Sequence, residues 1–453
     1  MDDYLRLADR IAADITSGRL KPGQRLPPQR AFARRRGVAA STAGRVYGEL
    51  VRRGLVVGEV GRGTFVRATP PGGDDGRALT EPAAATAPGT GTDRPPVNLE
   101  LNYPAAPGQS ELLAPALAAL LDPAALAEAL RPAPAAGTAT ARAAAAGLLA
   151  APGWRPDPAR LLFTGNARQA IAAALASLVR PGGRVGVEPL TYPLVKEIAA
   201  RLGISLVPLA TDDEGVLAES VAAAHRSAPL SALYLQPTLH NPTSLTTPEP
   251  RRRQLARAVT DLGVPVVEDR IWSFLRPEPP FAALAPALTH VVDGLSKRVA
   301  PGLTVGFLVV PAERVHPVAA AIRSGGWSAG RFALDAAARW IADGTVTRLV
   351  AAKRSEAHRR QRLLATRLRG FAVRSDPHAC YAWWELPASW RADTFTAAAA
   401  AHGIAVTPGP AFAVDPARTP DAVRLGLASA PEAELERALR TLAGIAREGA
   451  TGW

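Results

Sequence analysis

The stretch "DGLSKRVAPGLTVGF", Asp293 to Phe307, places Lys297 between Ser296 and Arg298, shortly before a Pro-Gly. The chain has 4 lysines and 49 arginines, so arginine is its default cation. Lysine can lose its proton and form a Schiff base with a carbonyl compound, and arginine cannot. Taken alone, Lys297 reads more readily as a solvated loop lysine, so the rest of the chain must decide. Other catalytic sets are absent. The 7 histidines are scattered without ligand spacing and Cys380 is the single cysteine, so no metal site is expected. Neither a Walker loop nor a nucleotide-binding Gly-x-Gly-x-x-Gly is present.

A second chemical feature is charge. The net charge of +13 is uneven: residues 1–67 hold 14 Arg+Lys and 6 Asp+Glu, a net of +8. An excess concentrated in one small terminal module points to an anionic partner such as nucleic acid. Each arginine taken singly is as readily a plain surface charge. At 453 residues the chain can bury two or three cores. One cysteine cannot form an internal disulfide, which fits a reducing cytoplasm. The start, "MDDYLRLADR", is charged and amphipathic rather than a signal peptide. No apolar run is long and charge-free enough for a membrane span.

The elements that must position these residues are legible in outline. Residues 3–18 predict a helix, with Leu5, Leu7, Ala8, Ile11, Ala12 and Ile15 on one apolar face and Gly18 as its stop. Shorter helices are predicted from about Gln29 to Arg36 and from about Ser41 to Arg53, with "LVVGEVGRGTFVR" as two strands around a tight tip. Three helices and a β-ribbon over 1–67 make a winged helix-turn-helix. From 68 to 96, apolar periodicity gives way to Pro, Gly and Thr, which predicts a flexible linker of roughly 30 Å r.m.s. span. From Val97 on, the runs "LLFTG", "RVGVE", "SALYLQP", "PVVEDR", "THVVDG" and "TVGFLVV" are separated by helical stretches. That pattern predicts an α/β domain over 97–310 with a mostly parallel sheet buried on both faces. Residues 311–449, with "ACYAWWELP" and "AVRLGLAS", predict a smaller α+β subdomain.

The stretches "GRLKPGQRLPPQRAFARRRGV" and "VYGELVRRGLVVGEVGRGTFV" resemble the GntR family of winged-helix regulators over almost all of residues 3–67. The resemblance implies binding of double-stranded DNA. Arg30 would start the second helix and reach phosphate or a base edge. Ala40, Ser41, Thr42, Gly44 and Arg45 would open the recognition helix, with Gly61, Arg62 and Gly63 at the wing tip. Helix N-termini favour phosphate, and arginine can grip guanine bidentately. Ala39 and Ala40 stand where the family usually has Ser or Thr and then Arg, which removes an N-cap and one DNA-contacting arginine.

Residues 97–445 resemble fold-type I pyridoxal 5'-phosphate (PLP)-dependent aminotransferases. By this resemblance "GLSK" is the Schiff-base motif, with Ser296, Lys297 and Arg298 at the cofactor. Asp269, ending "VVED", would pair the pyridinium nitrogen and keep the ring an electron sink. Asn241 in "LHNPT" would bond the ring's 3-oxygen, and Tyr192 in "TYP" would stack on the ring. Gly165, Asn166, Ala167 and Arg168 in "TGNARQA" would cradle the phosphate at a strand-to-helix turn. Arg424 in "VRLGLA" would grip a substrate α-carboxylate. Each of these could be a turn, a cap or a surface charge when taken alone; six in the family's order argue otherwise. The chain departs from the pattern in three places. "EDRIWSF" lacks the tyrosine after the aspartate, Thr304 replaces a phosphate-contacting arginine, and "RPAPAAG" lacks a further tyrosine. Arg298 or Arg168 is expected to supply the missing charge.

A GntR-type module joined to such a domain is the architecture of the MocR regulators. It implies a cytoplasmic homodimer that binds DNA, holds PLP and senses PLP or a small amino compound, with aminotransferase activity weak or absent. The alternative is an active aminotransferase with a vestigial DNA module.

Overall fold

The computed structural model describes residues 3–16, 19–20, 24–53, 55–59, 63–66, 97–415 and 418–449. Gly61 and Arg62 of the expected wing tip, and the expected linker at 68–96, lie outside the described residues.

The first unit has three helices, α1 (Asp3–Thr16), α2 (Gln29–Arg36) and α3 (Ala40–Arg52), and two strands, β1 (Val56–Glu59) and β2 (Gly63–Val66). The strands pair antiparallel, Val56 opposite Val66 and Glu59 opposite Gly63. Ala8 and Ile11 of α1 meet Phe32 of α2 and Val46 and Leu50 of α3 in one core. Burying each large apolar side chain in it stabilises the unit by about 1.5–3 kcal/mol. Tyr47 donates its hydroxyl to the carbonyl oxygen of Pro27 at 2.5 Å, tying α3 to the turn before α2. Ala39 caps α3 without a side-chain hydrogen bond, as its missing oxygen requires.

The large sheet has seven strands: β3 (Leu161–Thr164), β4 (Arg184–Val187), β5 (Ser205–Pro208), β6 (Ala232–Leu235), β7 (Val266–Asp269), β8 (Thr289–Gly294) and β9 (Gly306–Val309). Their order is β3-β9-β8-β7-β6-β4-β5. Only β9 runs antiparallel to its neighbours. β3, β6, β7, β8 and β9 are buried at every residue, as a sheet covered on both faces demands. The edge strand β5 is partly exposed throughout. Loops at the carboxyl ends of β3, β4, β6, β7 and β8 converge, the usual ligand side of such a sheet.

The chain after residue 311 builds a four-stranded antiparallel sheet from β10 (Ala372–Ser375), β11 (Tyr381–Glu385), β12 (Thr407–Pro408) and β13 (Ala422–Gly426). Val97 and Asn98 pair with Ile404 and Ala405, and Val97 and Leu99 lie in this subdomain's core. The segment from 97 to 99 therefore packs with the small subdomain although it precedes the large sheet in sequence.

Candidate functional site

Lys297 sits on a four-residue helix, Leu295–Arg298, that follows β8 directly. It is half-buried, and its Nζ donates to the carbonyl oxygen of Asn102 at 2.8 Å. The same nitrogen stands 3.7 Å from the centroid of the Tyr103 ring and 5.2 Å from that of Trp272. Burial, with the positive charges of Arg424 and Arg168, lowers its pKa from the ordinary 10.5 to about 7.

Asp269 ends β7 and is buried. Its Oδ2 accepts from the Tyr234 hydroxyl at 2.7 Å and from Gln236 Nε2 at 2.9 Å, and its Oδ1 accepts from the Ile271 N–H at 3.0 Å. Burial raises its pKa while these three donors pull it back down. Asn241 donates its backbone N–H to Gln236 Oε1 at 3.1 Å, so Gln236 holds both residues in place.

Arg424 lies on β13, opposite Trp383 of β11 and Thr407 of β12. Its guanidinium donates to Asn241 Oδ1 at 3.5 Å, to Thr407 Oγ1 at 3.2 Å and to the carbonyl oxygen of Glu100. Its Nε is buried without a partner. Burial lowers its pKa to about 10, which leaves it charged at neutral pH. A buried cation with a spare donor is suited to a carboxylate.

At the far end, β3 turns into α4 (Ala167–Leu178). Asn166 caps this helix by accepting from the Gln169 N–H at 3.1 Å. The leading N–H groups of the helix have no carbonyl one turn back to bond. β9 runs close by because Gly306 has no side chain: a Cβ there would come 2.3 Å from Thr164 Oγ1 and 2.4 Å from the Asn166 carbonyl oxygen. The buried Oγ1 of Thr304 also lacks a partner.

One cavity joins these groups. Lys297, Asp269, Asn241, Tyr192, Asn166, Ala167, Arg168, Ser296 and Arg424 all line it. Residues 94–442 match the family described as aminotransferase class I and II, and residues 3–66 match the bacterial regulatory proteins of the gntR family. The chain belongs to the aminotransferase class I and II family. It is 28% identical over 445 residues to the HTH-type transcriptional regulator YdeF of Bacillus subtilis, covering 97% of this chain and 93% of that one. It is 27% identical to the HTH-type pyridoxine biosynthesis transcriptional regulator PdxR of Corynebacterium glutamicum, over 76% of this chain and 74% of that one. Its fold is that of an archaeal alanine:glyoxylate aminotransferase, with a TM-score of 0.72, 19% identity, and coverage of 79% and 92%.

For this aminotransferase-family chain, the pocket fits the PLP that the family implies. The unpartnered Thr304 Oγ1, the Arg168 side chain and the first turn of α4 offer donors to a phosphate. Asp269 offers a carboxylate, and Lys297 an amine.

Arg298, expected at the cofactor, does not line the cavity. Its guanidinium is turned to Asp293, with Nη2 2.5 Å from Oδ2 and Nε 3.3 Å from Oδ1, and it stands over the Phe274 ring. Arg168 alone of the two arginines lines the pocket. Conversely, Tyr103, Asn102, Glu100, Gln236 and Trp272 line it without having been assigned there. Trp272 belongs to the stretch that lacks the family's tyrosine, and it lines the pocket with an indole ring whose centroid is 5.2 Å from Lys297 Nζ. Of the residues expected at DNA, Arg30 and Ser41 are exposed and Thr42 is half-buried. Arg45 is exposed, with its guanidinium 3.9 Å from the Tyr4 ring centroid.

Proposed function

We propose that this chain is a PLP-dependent transcription regulator that binds duplex DNA through residues 3–66 and senses PLP or a small amino compound in the Lys297 pocket. The observation that carries the reading is the joining of a basic helix-turn-helix unit to a pocket that keeps Lys297, Asp269 and Arg424 while lacking the expected tyrosines. The similarity to a regulator of pyridoxine biosynthesis supports PLP itself as an effector. As in other folds of this type, the large domain pairs with a second copy.

PLP, when bound, supplies an electrophilic carbon for which lysine and free amines compete. Lys297 offers an amine that burial keeps partly neutral at pH 7. Asp269, held by three donors, would keep a ring nitrogen protonated. Thr304, Arg168 and the start of α4 would hold the PLP phosphate. Arg424 holds the carboxylate of an incoming amino compound against β13 of the small subdomain. Engagement of Arg424 thus links the ligand to a different subdomain from the one that carries Lys297. A ligand with different affinity for two subdomain positions shifts their populations, and with them the placement of the DNA-binding unit.

The test is footprinting of the full-length protein on its own upstream region, with and without PLP and amino compounds. A protected site at low salt that changes with ligand is expected, and no protected site would overturn the regulator reading. Lys297, Asp269 and Arg424 in one pocket also favour a second reading, an active aminotransferase. Turnover at ordinary enzyme rates, on the order of 1–10³ per second, would establish it.

A further inference from the structure

A second cavity, of about 700 Å³, lies on the other side of Gln236, which lines both. That volume suits a metabolite-sized ligand. Its walls come from the loops after β4 and β6 in the large domain and from β10 and β11 in the small subdomain. Glu188, which follows β4, is 8% exposed and lines this cavity but not the Lys297 pocket. Its Oε1 accepts from the Gln236 N–H at 2.8 Å, while its buried Oε2 has no partner. A buried carboxylate oxygen without a donor is costly, and a ligand donor would relieve that cost.

The lining is acidic in a chain that is strongly basic. Five carboxylates line it against two arginines, Arg276 and Arg374, while Arg251, outside the lining, holds Asp212 at 2.7 Å and the His378 ring meets Asp376 at 2.9 Å. Arg374 is shared between Asp213 at 3.4 Å and Glu385 at 3.0 Å, and Arg276 is committed to Asp376 at 2.5 Å and to Glu278. His240 adds no positive charge at neutral pH, because burial lowers its pKa to about 4. Leu235, Val216 and Trp383 give the same cavity an apolar wall.

We propose that this second cavity binds a small organic ammonium ion with an apolar body, separately from the Lys297 pocket, and that Glu188 receives its charge. Burial pushes the Glu188 carboxyl up to about 7, so an ammonium at Oε2 draws the proton off and binding near neutral pH releases protons. Gln236 carries the effect inward, since its side chain also donates to Asp269 at 2.9 Å. A ligand here therefore touches both subdomains and bears on the carboxylate of the first pocket.

The test is calorimetric titration of the full-length, PLP-loaded protein with N,N-dimethylbutylamine. This tertiary amine is charged at neutral pH and cannot condense with an aldehyde. Saturable binding is expected, with a heat that depends on the buffer's ionisation enthalpy and an affinity unchanged in Lys297→Ala. Glu188→Gln keeps an acceptor for the Gln236 N–H but loses the charge, and should weaken binding at least about ten-fold. Asp213→Asn, at a 94% exposed side chain that the fold does not need, should weaken it by about two-fold and covers the case in which Glu188→Gln does not fold. No saturable heat, equal affinity in Glu188→Gln and Asp213→Asn, or loss of binding in Lys297→Ala would each overturn the proposal.

Discussion

Lys353 donates its Nζ to the carbonyl oxygen of Lys297 at 3.0 Å and to that of Val299 at 2.7 Å. Two of the chain's four lysines thus meet, one holding the backbone of the other. Lys353 lies on the long helix Thr345–Arg367 and is 0% exposed. The carbonyls it satisfies close a helix too short to satisfy them itself. Lys353→Met fills the same space without the donors. It should cost about 1–3 kcal/mol in urea unfolding, because two carbonyls are left dry. It should also weaken PLP uptake although Lys297 is intact. Unchanged stability and uptake would show that the contact positions nothing.

The contact between these two lysines is not visible in the sequence, whereas much else is. Strands β3, β4, β6, β7, β8 and β9 were readable because a covered parallel sheet needs continuous apolar runs. The edge strand β5 is not readable, because "SLVP" is exposed at both ends and lacks the continuous apolar run of the covered strands. Lys297, Asp269, Asn241 and Arg424 stand out as candidates in the sequence because each sits inside a short local motif, and the structure puts all four on one cavity although only Asp269 ends a strand. Arg298 adjoins Lys297 in sequence but not in the pocket, because successive residues on a helix point about 100° apart and its side chain faces Asp293. Asn102, 195 residues from Lys297, and its neighbour Tyr103 carry no signal in the sequence, because they reach the pocket through a loop with no periodic pattern.

Asp269 and Arg424 should separate by readout. Asp269→Asn swaps an acceptor-only group for one with two N–H donors, facing the donors of Tyr234 and Gln236. PLP affinity should fall by about ten-fold or more, as expected when a charge-assisted contact to the ring is lost. Arg424→Lys should leave PLP affinity within about two-fold, since the residue faces the incoming compound, but should weaken the response to amino acids by at least about ten-fold, because lysine lacks the bidentate fork. Cofactor absorbance titrated first with PLP and then with amino acids measures both. Equal losses in both variants would mean that the two residues do not have distinct roles.

DNA affinity should fall steeply with salt, with log K falling by about 0.9 per phosphate neutralised for each unit of log salt. Arg45→Ala should cost about 1–3 kcal/mol if the side chain reads a base, with relaxed sequence preference, and less if it touches only phosphate. Because the Arg45 guanidinium lies over the Tyr4 ring, Tyr4→Leu should produce a smaller loss in the same direction. Electrophoretic mobility shifts with specific and scrambled duplexes, across a salt series, measure these effects. A salt-independent affinity would mean that the basic unit is not the DNA contact.

The sharpest prediction is the pH dependence of Lys297. Attack on an aldehyde needs the neutral amine, and an ordinary lysine near 10.5 is almost wholly charged at pH 7. Burial first, then Arg424 and Arg168, bring Lys297 to about 7. The rate of PLP capture should therefore climb through neutral pH and level off above about 8, instead of rising toward 10. Arg424→Gln removes a positive neighbour and should move the midpoint upward, whereas Lys353→Met should move it less, because Lys353 ranks below Arg424 among the charges acting on Lys297. The sign for stability follows from proton counting. Between pH 7 and 10.5 the unfolded chain holds a proton on this lysine that the folded, PLP-free protein does not. Stability of the PLP-free protein should therefore rise with pH across that window and lose the increment as pH falls through 7. Stopped-flow absorbance after mixing with PLP, in a buffer series from pH 6 to pH 10, tests the capture profile. A profile still rising at pH 10, or one unchanged in Lys297→Ala, would remove Lys297 from its assigned role.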